Sequence, residues 1–303
     1  MFKRTVQGLL ANFGYRLVSL AATKQHGLES PGLNGTSAAA ATTHTSIQTR
    51  EAATINDSMQ PATQHELPHD EFYVPVFDFD GLRNDPGVIH NHDFMRDPHF
   101  IKSFRRGIKA QGEMQKYFWR AHVALWCAAH AVKLPGDFVE CGVWKGFLSS
   151  AIMDYLDWNS LSKKFFLFDT WCGIDESQIT AEEQGRLCLE HYRKHYVPNF
   201  QQAKDNFKEY HNVIITKGSV PETLKQVAID RIAYLSLDMN NVTPEIAAAH
   251  FFWDRLVPGG VILLDDYGFV SYEAQKEGFN AFAKCKGVEI LSLPTGQGLI
   301  MKQ

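Results

Sequence analysis

From residue 137 onward, short apolar runs alternate with stretches of helical spacing, and this rhythm limits the fold more than any other feature of the chain. The runs fall at 137–141, 165–169, 212–216, 232–238, 260–265, 287–292 and 297–301. Most are continuously apolar instead of alternating, as strands covered on both faces must be. Strands separated by helical segments imply an α/β fold, a doubly wound and mostly parallel seven-stranded sheet of Rossmann-like type. The last two runs flank "PTGQG", close enough for a hairpin, so the final strand is expected to be antiparallel. Residues 94–133, including "YFWRAHVALWCAAHAV", read as a helical extension before the first strand.

Three zones precede or contain this pattern. In residues 1–28, Phe2, Val6, Leu9, Phe13, Leu17 and Leu20 recur at steps of three or four beside Lys3, Arg4, Arg16 and Lys24. Such a basic amphipathic segment suits peripheral contact with an anionic membrane through residues 1–22, a targeting segment, or a helix docked on protein. Gly8 and Gly14 each weaken a helix there by roughly 1 kcal/mol. Residues 29–70 are Ala, Thr, Ser, Gln, His and Asn with almost no large apolar side chain. They are expected to be a disordered linker, and His44, His65 and His69 to be its solvated residues. The folded domain is expected over 71–303.

A net charge of -4 excludes a bulk basic surface for nucleic acid. The five scattered cysteines contain no CxxC pair, which argues against a disulfide scaffold or zinc cluster and fits a reducing cytoplasm. No stretch reaches the 18 or so apolar residues of a membrane-spanning helix. Homo-oligomerisation is left open.

"FVECGVWKG" places Glu140 at the end of the first strand and Gly142 and Gly146 in the turn that follows. Open α/β sheets bind ligands beyond the carboxyl ends of their strands. The pattern is E-x-G-x-x-x-G and not the G-x-G-x-x-G of nicotinamide enzymes. An acid there repels a pyrophosphate but tolerates a cationic amino-acid ligand. The second strand ends in Asp169, followed by Thr170, and a carboxylate there suits a ribose diol. Gly218 and Ser219 follow the third strand and are placed to border an adenine. Together these strand ends describe a site for S-adenosylmethionine. Helix-capping or turn chemistry is the alternative for Glu140 and Asp169.

The fourth strand ends at Asp238 and the fifth at Asp265 and Asp266, and both strands are expected beside the first. Three convergent carboxylates repel one another unless a cation is present. Oxygen-only ligands favour a hard ion such as Mg²⁺. Helix capping or cofactor contact without a metal is the alternative. His250 is expected to be a packed or surface histidine. Arg120 is placed to reach a cofactor or substrate carboxylate or to form a structural ion pair. Tyr267 is either a core aromatic or part of the acceptor pocket.

"GDFVECGVWKGFLSS", "FFLFDTWCGI", "GSVPETL" and "LVPGGVILLDDYG" resemble the macrocin O-methyltransferase (TylF/MycF/NovP-type) family of class I S-adenosylmethionine-dependent methyltransferases. The resemblance spans about residues 90–303. It implies Mg²⁺-assisted methyl transfer to a hydroxyl of a sugar or other small glycosylated acceptor, with the metal on Asp238, Asp265 and Asp266. In the family's antibiotic-sugar members a second Asp, the proposed base, follows the first metal ligand by two residues. Here that position is Asn240, and an amide takes no proton at neutral pH. The rival readings are a non-catalytic binding protein of the same fold and a nicotinamide-dependent oxidoreductase.

Overall fold

The computed structural model describes residues 92–113, 117–185 and 189–303. The expectations for residues 1–28 and 29–70, and for a domain start at 71, lie outside the described residues.

Two helices precede the sheet, α1 (Pro98–Gln111) and α2 (Phe118–Ala131). Asp97 caps α1 by accepting from the His99 N–H, with Pro98 in the first turn, where its missing N–H costs nothing. The single helical stretch expected over 94–133 is interrupted because Gly112 closes α1, its N–H donating to the Ile108 carbonyl.

Strands β1 (Asp137–Cys141), β2 (Phe165–Asp169), β3 (Val213–Lys217), β4 (Ile232–Leu237), β5 (Leu256–Leu264), β6 (Leu291–Ser292) and β7 (Gly298–Met301) form one sheet. Its order is β3-β2-β1-β4-β5-β7-β6. β3, β2, β1, β4 and β5 are parallel, and β7 runs antiparallel to β5 and β6. The expected closing hairpin is therefore present. β6 is shorter than the run at 287–292 because Gly287 still belongs to the cap of the preceding helix.

The connections are α3 (Phe147–Tyr155), α4 (Ala181–Gln184), α5 (Leu189–His195), α6 (Phe200–Phe207), α7 (Val242–Trp253) and α8 (Glu273–Lys286). Side chains alternate across the sheet, so each strand feeds two cores. Phe165 and Leu167 of β2 face a core with Phe104, Phe118 and Met153 from α1, α2 and α3. Phe166 and Phe168 face the other, with Phe252 of α7 and Phe279 and Phe282 of α8. Coverage on both faces explains why β4 is buried at all six positions. Among the described residues no helix is long and apolar enough to cross a membrane.

Candidate active site

The strand order determines which loops meet. β1, β2 and β3 are neighbours, so Glu140, Asp169 and Gly218 sit at successive carboxyl ends. β4 pairs with β1 on the other side, whereas β5 pairs with β4. The expectation that both lie beside the first strand holds for β4 only. Asp265 and Asp266 still reach Asp238 because they follow the end of the adjacent strand.

The turn after β1 packs directly on the end of β4. Gly142 has φ +88, and a Cβ there would lie 1.8 Å from the Asp238 carbonyl oxygen. Only glycine allows that approach. Asp169 then fastens the turn from the β2 side. Its Oδ2 accepts from the Val143 and Trp144 N–H groups at 2.6 and 2.7 Å, and its Oδ1 from the Trp171 N–H at 2.5 Å. Burial raises its pKa, and these hydrogen bonds pull in the opposite direction. The turn chemistry weighed for Asp169 is thus present in the structure. Thr170 donates to the Gly173 carbonyl at 2.5 Å. The Gly218 N–H donates to the Asp169 carbonyl at 2.8 Å, tying the β3 end to the same loop. Ser219 donates to Asp175, so its hydroxyl already has a protein partner.

Glu140 is 3% exposed and accepts a hydrogen bond from Ser149 of α3. Burial pushes its carboxyl well above the usual range, and the charges of Asp238 and Asp169 add to the effect. A cationic group nearby would favour the ionised form of this carboxyl.

Asp238, Asp265 and Asp266 converge, each offering a carboxylate oxygen within 4.8 Å of the others. Asp265 is held on both sides: Gln297 donates to Oδ1 at 3.1 Å and Arg120 donates to Oδ2 and, at 3.0 Å, to the backbone carbonyl. Arg120 also lies 3.6 Å from Asp266 Oδ1. Burial, then the nearby Asp266 charge, pushes the Asp238 carboxyl up to about 7, with Arg120 opposing. Asp266 is raised by burial, with Arg120 again opposing.

Asn240 has left-handed backbone, φ +61, a conformation that asparagine tolerates better than most residues. Glu245, in the first turn of α7, accepts from the Met239 and Asn240 N–H groups at 2.9 and 3.0 Å and holds that loop. The Asn240 side chain donates to Asp238 Oδ1 at 3.2 Å, while its Oδ1 accepts from Tyr192 and Tyr272 at 3.2 and 3.1 Å. The two tyrosine hydroxyls also hydrogen-bond each other. Tyr192, Tyr272, Glu245 and Gln297 were not singled out from the sequence. Glu245 carries a legible signal, an acid in the first turn of the helix after Asp238. The tyrosines, Tyr192 in α5 and Tyr272 at the N-terminus of α8, lie 80 residues apart and carry none.

Arg120 takes the ion-pair role weighed for it. His250 is exposed, with its ring edge-on to Phe282. Tyr267 is a core aromatic whose hydroxyl donates to Asn280 at 2.6 Å.

The doubly wound sheet with an antiparallel β7, its glycine turn and its acids at the carboxyl edge define a Rossmann-like fold of the methyltransferase type. Solved structures of methyltransferases share it. The O-methyltransferase NovP superposes with a TM-score of 0.54 at 18% identity, covering 66% of this chain and 88% of that one. CalS11, calicheamicin methyltransferase, gives 0.51 at 14% identity, covering 70% and 94%. The model of the macrocin-O-methyltransferase (TylF) family matches residues 124–289, and the chain belongs to this family. A curated relative from Streptomyces olivaceus, 8-demethyl-8-(2,3-dimethoxy-alpha-L-rhamnosyl)-tetracenomycin-C 4'-O-methyltransferase, is 28% identical over 144 residues, covering 44% of this chain and 54% of the relative. The chain thus spans about half the length of the curated relative it matches.

Proposed function

We propose that the chain is an S-adenosylmethionine-dependent O-methyltransferase acting on a hydroxyl of a glycosylated small molecule, with Mg²⁺ bound by Asp238, Asp265 and Asp266. The observation that carries this reading is the convergence of those three carboxylates beside the Glu140–Gly146 turn. The sugar-directed activity in the name of the Streptomyces olivaceus relative supports the acceptor class.

The residues fit a divalent ion. The donor set is all oxygen, and Asp266 Oδ2 is buried without a hydrogen-bond partner, an acceptor that the described residues leave unmet. When bound, Mg²⁺ would lower the pKa of an acceptor hydroxyl. S-adenosylmethionine would supply an electrophilic methyl group, held at the Glu140, Gly142, Gly146, Asp169, Thr170, Gly218 and Ser219 edge. Glu140 favours its positive charge. Asp169 holds the turn shape, and its Oδ1, which accepts from the Trp171 N–H while the Thr170 hydroxyl donates to Gly173, keeps one acceptor position for a ribose hydroxyl.

Asp238 would hold the ion in its ionised form, so the value near 7 belongs to the ion-free carboxyl, and the hydroxyl proton passes to solvent. Asn240 positions Asp238 and accepts no proton. Burial raises the Tyr192 and Tyr272 hydroxyls, so both stay protonated, and their two protons are shared between the Asn240 oxygen and the contact between the hydroxyls.

The test is transfer from methyl-labelled cofactor to a panel of glycosides, nucleotide sugars, free sugars and catechols, read by mass spectrometry. The expected result is label on a sugar hydroxyl, lost on chelation and restored by Mg²⁺. Failure to bind S-adenosylhomocysteine, with no label on any acceptor, would leave only a fold without this activity.

A further inference from the structure

The cation nearest the three carboxylates belongs to the chain itself. Arg120, in the first turn of α2, donates to Asp265 Oδ2 and to the Asp265 carbonyl, and approaches Asp266 Oδ1 to 3.6 Å. Both side-chain oxygens of Asp265 are therefore engaged. Gln297, on Oδ1, cannot easily let go. It is fully buried, and its own Oε1 accepts from Thr295 at 3.0 Å. Oδ2 is the Asp265 oxygen that Arg120 holds, and the same guanidinium nitrogen lies 3.6 Å from Asp266 Oδ1, so a metal joining both acids would lie beside that cation. A guanidinium and a divalent ion on one carboxylate oxygen repel each other strongly in a buried site.

Two aromatic rings flank the guanidinium where it stands. The Arg120 guanidinium carbon is 5.4 Å from the Tyr117 ring centroid and 5.0 Å from that of Phe269. Aromatic faces within about 6 Å stabilise a guanidinium without a carboxylate. A guanidinium drawing back from Oδ2 would still have these rings beside it.

We infer that Arg120 is an exchangeable counter-ion: it neutralises the triad when the metal is absent and must withdraw from Asp265 Oδ2 for a divalent ion to bind. The inference rests on the metal reading of the triad. It makes Arg120 a positioning residue, one that lowers metal affinity while keeping three buried carboxylates tolerable before loading.

Calorimetric titration of Mg²⁺ into the full chain and into Arg120→Met tests it. Methionine keeps much of the length of the side chain and removes the charge. The expected result is a dissociation constant about tenfold or more lower in the variant, since a competing cation has been removed. Arg120→Lys, which keeps a charge but cannot span Asp265 and Asp266 in the same way, should fall between the two. Binding in Arg120→Met with none detectable in the wild type would also support the exchange. Affinity that is equal or weaker in the folded variant would overturn it.

If Arg120→Met does not fold, the wild type decides. In protein carrying ¹⁵N-arginine, the Arg120 side-chain resonance should shift with Mg²⁺ occupancy. A resonance unmoved while calorimetry records Mg²⁺ binding would overturn the exchange but leave the metal site intact. Absence of Mg²⁺ binding in every form would overturn the metal reading and the exchange with it.

Discussion

Gly142→Ala tests how the cofactor turn and the carboxylate site are joined. A Cβ at this position would meet the Asp238 carbonyl oxygen at 1.8 Å, the Asp238 carbonyl carbon at 2.3 Å and the Met239 nitrogen at 3.0 Å. All three are backbone atoms, so no side chain can rotate away and the β1 turn or the β4 end must move. Placing alanine at φ +88 adds a conformational cost of about 1–2 kcal/mol. Overpacking of this kind adds roughly 1–3 kcal/mol, for a total of about 2–5 kcal/mol. Gly287→Ala is the control. Its φ is also positive, at +67, but a Cβ there meets nothing within 4 Å, so only the conformational cost applies. Thermal unfolding should show a melting temperature lowered by roughly 4–20 °C for Gly142→Ala and roughly 2–8 °C for Gly287→Ala. Because the clash is with Asp238, Mg²⁺ affinity should fall in the first variant only. Equal destabilisation of the two, with Mg²⁺ binding intact in both, would refute the close packing of turn on triad.

Asp169→Ala leaves three N–H groups without their carboxylate and should cost about 3 kcal/mol of stability. It should also weaken S-adenosylhomocysteine binding by roughly 2 kcal/mol; calorimetry showing wild-type affinity in a folded variant would remove its place in the cofactor site. Tyr272→Phe deletes one of two donors to Asn240 and should cost about 1 kcal/mol. A double-mutant cycle with Tyr192→Phe should show coupling, and strict additivity would mean that the tyrosine pair does not act as a unit. Asp238 is raised from 3.8 to about 7, so it favours the folded state when protonated, and the metal-free protein loses that preference as pH climbs through this window. Mg²⁺ binds the ionised form. The melting-temperature gain from Mg²⁺ should therefore grow between about pH 5.5 and pH 7.5; a gain independent of pH would contradict this assignment.

Much of the sheet was legible because burial on both faces leaves continuous apolar runs. "DFVEC" and "FFLFD" coincide with β1 and β2 residue for residue. Strand adjacency was less legible. Nothing local to β5 says that it pairs with β4 and not β1, since spatial order is decided by helices packing across the sheet. The site acids were visible as polar residues ending apolar runs, a placement whose desolvation cost calls for a partner. What the sequence hid was who those partners are. Asp169 turned out to bind its neighbours' amides. Arg120 reaches Asp265 across 145 positions, and Gln297 reaches it from the β6–β7 turn. Asn240 read as a missing base, whereas its left-handed backbone and its two tyrosine donors give it a structural role that depends on long-range contacts.

The most direct measurement is anomalous diffraction from crystals soaked in saturating Mn²⁺, which accepts the same oxygen ligands as Mg²⁺. The expected map has a single anomalous peak enclosed by Asp238, Asp265 and Asp266, absent from Asp265→Asn crystals treated in the same way. A wild-type map with no peak among these three side chains would contradict the metal-assisted site.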